Sequence, residues 1–431
     1  MEYILNTIYL LAAILVAPKA LYRAFKQGRY RTGWAQRFGR IDRKHPEKPC
    51  IWIHAVSVGE VNQTRKLITD LTDRFPDHEI VISTTTDTGH ARAQKLYADD
   101  HTVFFYPLDF SPFVRRAFKN LNPSACLLIE LEVWPNFAAI AHKKHIPVIV
   151  VNGRLSDKSY PVYKKIKPAA RWMFRKLELI LAQTDEYAQR FIALGCDPQK
   201  VRVTSSLKYD TAQIADKLPG SDELAKQIDL GDEPFWVVGN TGPDEEWIAL
   251  DIFTELRTHP DLQNLRMAVV PRKPERFDEV NAMIERSPYS HIRYSTIKDG
   301  NTSAEGKPDI ILGDTMGDLR KFYSLAKIVF VGRSLVPMGG SDMIETAALG
   351  KCTIFGPHTF NFKQTVDALL AADAAIEVAD AQELKRATLK CFTEPEYASR
   401  IASNARNVII ENQGATKKTI KAVADIIHNR S

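Results

Sequence analysis

Glu60 is the first residue whose setting points to chemistry. It closes the run Ile51-Trp52-Ile53-His54-Ala55-Val56-Ser57-Val58-Gly59-Glu60, in which an apolar strand stops at His54, small residues turn the chain, and an acid opens a helix. Backbone N–H groups at a helix start have no intrahelical partners, so a carboxylate there stays ionised and can accept a proton. An acid in that place also serves as a plain helix cap, and spacing alone leaves both readings open. Downstream, Glu130 and Glu132 flank Leu131 ahead of Val133-Trp134-Pro135-Asn136; in an extended segment they share a face, and only a turn separates them. Lys208, in Ser206-Leu207-Lys208-Tyr209-Asp210, is either a solvated lysine or a cation for the same chemistry.

The second half offers three turns suited to a nucleotide. Pro271-Arg272-Lys273 follows an apolar strand and puts a guanidinium and an ammonium at its mouth, which suits a phosphate. Gly313-Asp314-Thr315-Met316-Gly317-Asp318 leads into a helix whose backbone N–H groups can hold an anion or a base edge. Gly339-Gly340-Ser341-Asp342-Met343-Ile344-Glu345 carries Glu345 one turn inside the next helix, where a carboxylate can accept the hydroxyls of a ribose. Any one such turn is weak, since glycine-rich turns are mostly tight turns; three in one domain weigh more. Asp-x-Asp triplets, i,i+4 histidine pairs and Cys/His clusters are lacking, which disfavours a metal site. Walker, Gly-x-Gly-x-x-Gly and Gly-x-Ser-x-Gly patterns are lacking too.

Short apolar runs alternating with helical segments position these residues. In the first half the strands are Ile51–His54, Ile80–Thr84, Thr102–Tyr106, Ala125–Ile129, Val148–Asn152 and Leu179–Ala182, with helices Val61–Arg74, Gly89–Tyr97, Phe113–Leu121, Phe137–His142, Lys164–Lys176 and Glu186–Leu194 between them. Continuous apolar strands between helices describe a parallel sheet covered on both faces, hence a doubly wound α/β domain. Polar, proline- and glycine-rich residues between Asp210 and Pro234 mark a hinge, after which the alternation restarts at Phe235. The expected organisation is an N-terminal segment (1–45), an α/β domain (46–215), a hinge (216–233), a second α/β domain (234–400) and closing helices (401–431), with ligands in a cleft between the halves.

The 431 residues carry a net charge of +6, concentrated between Lys19 and Arg43 in Lys19, Arg23, Lys26, Arg29, Arg31, Arg37, Arg40 and Arg43 against Asp42 alone. This run directly follows the apolar stretch Tyr3–Pro18, which points to anionic lipid headgroups. The stretch is short for a spanning helix unless Lys19 snorkels; it reads as a membrane anchor with the body on the cytoplasmic side, or as a helix lying in the interface. No interleaved aromatic-basic pattern supports nucleic-acid binding. Cys50, Cys126, Cys196, Cys352 and Cys391 are scattered, as small buried hydrophobes of a reducing compartment are.

Taken in order, these motifs resemble the 3-deoxy-D-manno-octulosonic acid (Kdo) transferases, inner-membrane enzymes that move Kdo from CMP-Kdo to a lipid A precursor. The resemblance runs through His54–Glu60, Glu130–Asn136, Asn152-Gly153-Arg154-Leu155-Ser156, Pro271-Arg272, Gly313–Asp318, Phe330–Pro337 and Gly356–Phe362. It implies a GT-B architecture of two Rossmann-like halves, an inverting transfer to lipid IVA, and no cofactor or metal. It also implies that Glu60 is the proton acceptor, that Glu130 and Lys208 stabilise the transition state, and that CMP contacts fall to Pro271, Arg272, Met316, Gly317, Asp318, Asp342, Met343, Ile344 and Glu345. The chain departs from the family where Ser341-Asp342-Met343-Ile344-Glu345-Thr346 stands for His-Asn-Pro-Leu-Glu-Pro, where Lys273 and Gly242 each replace a histidine, and where Ser205-Ser206 replaces Gly-Asn. A cleft glycosyltransferase or epimerase using another nucleotide sugar, and a membrane-bound binding protein without activity, are the alternative readings.

Overall fold

The strands expected from the sequence form, and every pairing between them is parallel. A computed structural model describes residues 2–27, 32–298 and 306–429. Unit 1 carries β1 (Cys50–His54), β2 (Glu79–Thr84), β3 (Thr102–Phe105), β4 (Pro123–Ile129), β5 (Val148–Gly153), β6 (Leu179–Ala182) and β7 (Val201–Val203), in the order β3-β2-β1-β4-β5-β6-β7. Unit 2 carries β8 (Phe235–Thr241), β9 (Arg266–Pro271), β10 (His291–Arg293), β11 (Ile310–Leu312), β12 (Ile328–Val331), β13 (Cys352–Phe355) and β14 (Ile376–Glu377), in the order β10-β11-β9-β8-β12-β13-β14. Each sheet reverses its winding beside its first strand, between β1 and β4 in unit 1 and between β8 and β12 in unit 2.

Both faces of the first sheet are dry, which is why its strands read as continuous apolar runs. Trp52, Val81, Phe104, Cys126, Leu128 and Val150 face one core with Phe137 and Phe174, whereas Ile51, Ile53, Ile80, Ile82, Leu127 and Ile129 face the other. The period of two along β1 sends Ile51 and Ile53 one way and Trp52 the other. The chain leaves unit 1 after Thr211, forms unit 2 over Ala212–Asn412, and returns to unit 1 at Gln413. The returning helix Ala415–His428 adds Ala422, Val423 and Ile427 to the second core face. Residues 216–233, read as a hinge, instead hold the helix Ser221–Gln227, which packs within unit 2 with the Ser221 hydroxyl 2.5 Å from that of Ser324. The helix expected over Val61–Arg74 breaks at Thr64 into Val58–Gln63 and Arg65–Arg74, and that over Lys164–Lys176 breaks ahead of Pro168 into Tyr160–Lys165 and Lys167–Phe174. Two cysteines far apart in sequence, Cys352 and Cys391, bring their sulfurs to 3.5 Å in the core of unit 2.

The structure does not support the expectation that the N-terminal segment spans a membrane. Glu2–Gln27 is a single helix, but among the described residues no helix is long and apolar enough to cross a membrane. Glu2, Asn6 and Tyr9 fall on one face at i, i+4 and i+7, and they hold the helix against unit 1. Glu2 pairs with Arg115 and Lys143, Asn6 Oδ1 accepts from the backbone of Ser111 at 3.0 Å, and the Tyr9 hydroxyl donates to Asp109 at 2.8 Å. Polar side chains at that spacing are costly in hydrocarbon and are satisfied here by the protein. Of the basic run beyond this helix, Arg29 and Arg31 lie outside the described residues.

The returning helix starts at Gly414, which offers no capping side chain, so its first N–H groups depend on a distant acid. Asp210 accepts from the backbone of Gly414 at 2.6 Å and from that of Thr416. Removing it in Asp210→Ala leaves those donors unpaired and is expected to lower unit 1 stability by about 1–3 kcal/mol, with Asp210→Asn intermediate. Urea unfolding of the full chain measures this; an unchanged midpoint for the alanine variant refutes the capping role.

Candidate functional site

In unit 1 the polar residues gather where strands end. Ala55 and Val56 carry the chain out of β1, and Ser57 caps the helix Val58–Gln63 with extended backbone. Glu60 sits in the first turn of that helix. Its carboxylate reaches back: Oε1 accepts from the Ser57 hydroxyl at 2.9 Å and Oε2 from the Val56 N–H at 2.8 Å. The Ser57 oxygen in turn accepts from the Glu60 backbone nitrogen at 3.4 Å, so Ser57 and Glu60 bond reciprocally at the helix start, a variant of the capping box in which the acid reaches the N–H of Val56. The two sequence readings of Glu60 therefore coincide in geometry, because the bonds that cap the helix also fix the carboxylate's direction.

Glu60 is only 9% exposed. Burial pushes its pKa up to about 7; the Val56 N–H pulls down, the charge on Glu130 pushes up, the Ser57 hydroxyl pulls down and the charge on Glu132 pushes up. Glu130 follows the last residue of β4, the sheet neighbour of β1, and takes left-handed backbone with φ 61°. That turn ends the strand, so Glu130 and Glu132 do not share a strand face. Burial also raises the Glu132 pKa.

Asn152 links this region to Lys208. It too is left-handed, with φ 58°, at the end of β5, and its side chain donates to Gln63 at 2.9 Å and accepts from the Leu207 N–H at 3.1 Å. The short helix Leu207–Thr211, which carries half-buried Lys208, thereby packs against the helix of Glu60. Glu60, Glu130 and Lys208 thus all lie at the carboxyl ends of the strands of one sheet, where the switch between β1 and β4 opens a crevice.

In unit 2 the three predicted turns also follow strands, but their side chains differ in availability. Pro271 ends β9 and is buried, while Arg272 is exposed and its backbone N–H donates to Thr241 O at 3.2 Å. Met316 is 68% exposed and Gly317 has φ 98°, a conformation that glycine adopts without strain. Asp318 is buried and already engaged by Lys298 and Thr315 at 2.6 Å and by Lys321 at 2.8 Å. Burial raises its pKa, but these three partners outweigh that and bring it to about 2. Met343 and Ile344 are buried in the core as whole residues, so the structure offers neither side chain to a ligand. Asp342 accepts from the Ile344 N–H at 3.0 Å.

Glu345 lies 3.6 Å from the Arg320 Nε. Burial and the charge on Asp342 raise its pKa, while Arg320 and Arg272 lower it. The structure therefore brings Arg272, Asp342 and Glu345 into one electrostatic group and leaves Asp318 in a separate ionic cluster. Arg320 was not singled out from the sequence; it stands two residues past Asp318, and nothing local shows that it reaches position 345. Among the described residues, no group of three or more His, Cys, Asp or Glu side chains has the geometry to hold a metal ion.

Residues 32–211 match the family model for 3-deoxy-D-manno-octulosonic-acid transferase (kdotransferase). Over 403 residues the chain is 32% identical to 3-deoxy-D-manno-octulosonic acid transferase of Haemophilus influenzae, covering 92% of this chain and 91% of that one. The chain belongs to the Kdo transferase family. It is a glycosyltransferase, and it is 31% identical to the Kdo transferase of Bordetella pertussis over 402 residues, 90% of each chain. Among solved structures it resembles a glycosyltransferase from Rickettsia africae, with a TM-score of 0.55 at 15% identity over 89% of this chain and 99% of that one, a likeness of fold alone.

The raised pKa of Glu60 has a stability consequence with a definite sign. A carboxyl whose pKa rises from 4.5 in the unfolded chain to about 7 in the folded one contributes stability below 4.5, and that contribution is lost as pH rises through 7. Glu60→Gln cannot ionise, so its stability relative to the parent chain is expected to improve by on the order of 2 kcal/mol between pH 5.5 and pH 8. Urea midpoints at the two pH values measure the difference, and a difference that shrinks with rising pH contradicts the burial of a titrating acid.

Proposed function

We propose that the chain transfers Kdo, with inversion, from CMP-Kdo to a lipid A precursor, lipid IVA, in lipopolysaccharide biosynthesis. The observation that carries this reading is a buried, oriented acid at the switch point of unit 1 in a chain alike to Kdo transferases along 92% of its length. In this reading Glu60 removes the proton from an acceptor sugar hydroxyl as that oxygen attacks the anomeric carbon of the donor and CMP departs. Its pKa of about 7 suits the task, because a base near the working pH is both deprotonated and basic enough to draw a proton. Glu130 and Lys208 stabilise charge as the bond breaks. CMP is taken by Arg272, by the backbone of Met316-Gly317-Asp318 and by the turn from Asp342 to Glu345, with Glu345 accepting from the ribose hydroxyls. Cationic side chains and backbone N–H groups supply the electrostatics, so no metal is required.

The same reading places the protein on the cytoplasmic side of the inner membrane, held at the surface and not threaded through it. The helix Glu2–Gln27 docks on unit 1 with its polar face and leaves Ile4, Ile8, Leu11 and Leu15 exposed. Beside it a cavity of about 620 Å³ is lined by Arg115, Lys143, Lys144, Trp172 and Lys176, and exposed Val162 and Ile166 stand among the lysines of the neighbouring helices. Apolar side chains next to cations suit an anionic bilayer surface and an acceptor that carries phosphates.

Incubation with CMP-Kdo and lipid IVA in EDTA, products weighed by mass spectrometry, is expected to show Kdo addition. Glu60→Gln is expected to lower kcat by about 10²–10⁴, and kcat/KM of the parent chain to fall tenfold per pH unit below about 7. Undiminished transfer by that variant removes Glu60 from the mechanism, and absence of product from the parent chain removes the reading. Co-sedimentation with phosphatidylglycerol vesicles is expected to weaken at least tenfold when Leu11 and Leu15 are both changed to Asp, since each exposed leucine contributes about 1.5–3 kcal/mol on burial. Equal sedimentation of both proteins means that this helix face does not meet the lipid.

A further inference from the structure

We propose that Arg333 is a specificity-determining contact of the donor site, its guanidinium meeting an anionic oxygen of the sugar nucleotide. This rests on the CMP-Kdo reading above and adds a residue to it. Arg333 stands two positions past the end of β12, at the switch point of the second sheet, where doubly wound folds bind ligands.

Its backbone is left-handed, with φ 61°, a strained conformation for a residue with a Cβ. The surroundings enforce that conformation. The buried Glu245 carboxylate accepts from the N–H groups of Gly242, Arg333, Ser334 and Leu335, at 2.8, 2.5, 2.9 and 3.0 Å, and so wraps the loop after β12 around one acid. The Arg333 carbonyl accepts from Gly340 at 2.8 Å, tying the same loop to the turn that leads to Asp342 and Glu345.

The side chain then runs over Gly242. A Cβ at position 242 would lie 2.7 Å from the Met338 sulfur and 3.4 Å from the Arg333 Cγ, so the glycine makes room for both. Thr241, the residue before it, holds the backbone of Arg272 through its carbonyl. Arg333 and Arg272 therefore flank the same strand end, β8.

Three other arginines of unit 2 have counter-ions. Arg276 pairs with Glu246 and Glu279, Arg293 with Asp278 and Asp314, and Arg320 with Glu345. Among the described residues Arg333 makes no ion pair; its Nη2 reaches only Met338 O at 3.4 Å, and its buried Nε has no partner. The Ser341 hydroxyl, next to Gly340, is likewise buried and unpartnered. A half-buried cation without a partner is costly, and a guanidinium matches a phosphate or carboxylate oxygen in charge and geometry. CMP-Kdo offers both, on its phosphate and on its sugar.

The test uses the full chain with cytidine, CMP and CMP-Kdo. Arg333→Met keeps the stem over Gly242 and removes the charge; Arg333→Lys keeps the charge. If the phosphate is the partner, the methionine variant binds CMP at least tenfold more weakly in calorimetry, binds cytidine as the parent does, and the lysine variant recovers part of the loss. If the sugar carboxylate is the partner, CMP binding is unchanged and KM for CMP-Kdo rises at least tenfold with kcat retained. Parent-like CMP binding together with parent-like KM in the methionine variant, at an unchanged thermal midpoint, overturns the assignment alone. A parent chain that binds neither CMP nor CMP-Kdo overturns the donor reading and this inference with it.

Discussion

A strand that is dry on both faces can present polar groups only at its ends, and that constraint organises both units. Ile51, Trp52 and Ile53 are buried in the sheet, so β1 meets water and substrate only through the residues beyond His54. The helices that cover the faces return the chain to the amino end of the next strand, and every carboxyl end therefore opens onto the same edge. Glu60 and Glu130 interact because β1 and β4 are sheet neighbours, although 70 residues of chain separate them. The high pKa of Glu60 has the same origin, since the covering layers that dry the strand also desolvate the first acid beyond it.

The two units use one device for two ends. After the first strand of each, an acid in the opening turn of the next helix reaches back to a backbone N–H: Glu60 to Val56 at 2.8 Å, Glu245 to Gly242 at 2.8 Å. Glu245 goes on to accept from three N–H groups of the loop after β12 and is fully occupied as a structural anchor. Glu60 keeps only the two local bonds and borders two further carboxyls, so it remains a group that can exchange a proton. The difference lies in what the neighbouring strand delivers: donors in unit 2, charges of the same sign in unit 1.

Much of this was legible in the sequence because burial on both faces writes itself as unbroken apolar runs, and because turns after such runs must sit at the sheet edge. Glu60, Glu130, Arg272 and Glu345 were placed beyond strand ends that way. The readings that failed depended on contacts distant in sequence. The helix Glu2–Gln27 looks apolar by composition, yet Glu2, Asn6 and Tyr9 are spaced to bond with Arg115, Ser111 and Asp109, and no local pattern announces those partners. The helix Ala415–His428 completes the core of unit 1 from the far end of the chain, and its amphipathic sequence does not say which core it joins. Arg320 and Arg333 act, or fail to find a partner, across folds of the chain; their roles are set by what lies beside them in space. The left-handed backbone of Glu130 and Arg333 was invisible for a different reason, since neither residue type favours it and only the surrounding hydrogen bonds impose it.

Charge balance in unit 2 explains why that last cation matters. Asp342 and Glu345 place two carboxyls near where a nucleotide is expected; burial and Asp342 raise the Glu345 pKa, and Arg320 and Arg272 offset part of that rise. Within that group the charges cancel. In the proposed donor reading, an arriving anion finds no net attraction there, and without a further cation it pushes Glu345 toward its protonated form, a weaker acceptor for ribose hydroxyls. Asp318 cannot release a lysine to help, because Lys298 and Lys321 are what keep its own buried carboxylate ionised. Arg333 makes no ion pair among the described residues, and the hydrogen bonds of Glu245 that impose its left-handed backbone also fix where its side chain leaves the loop.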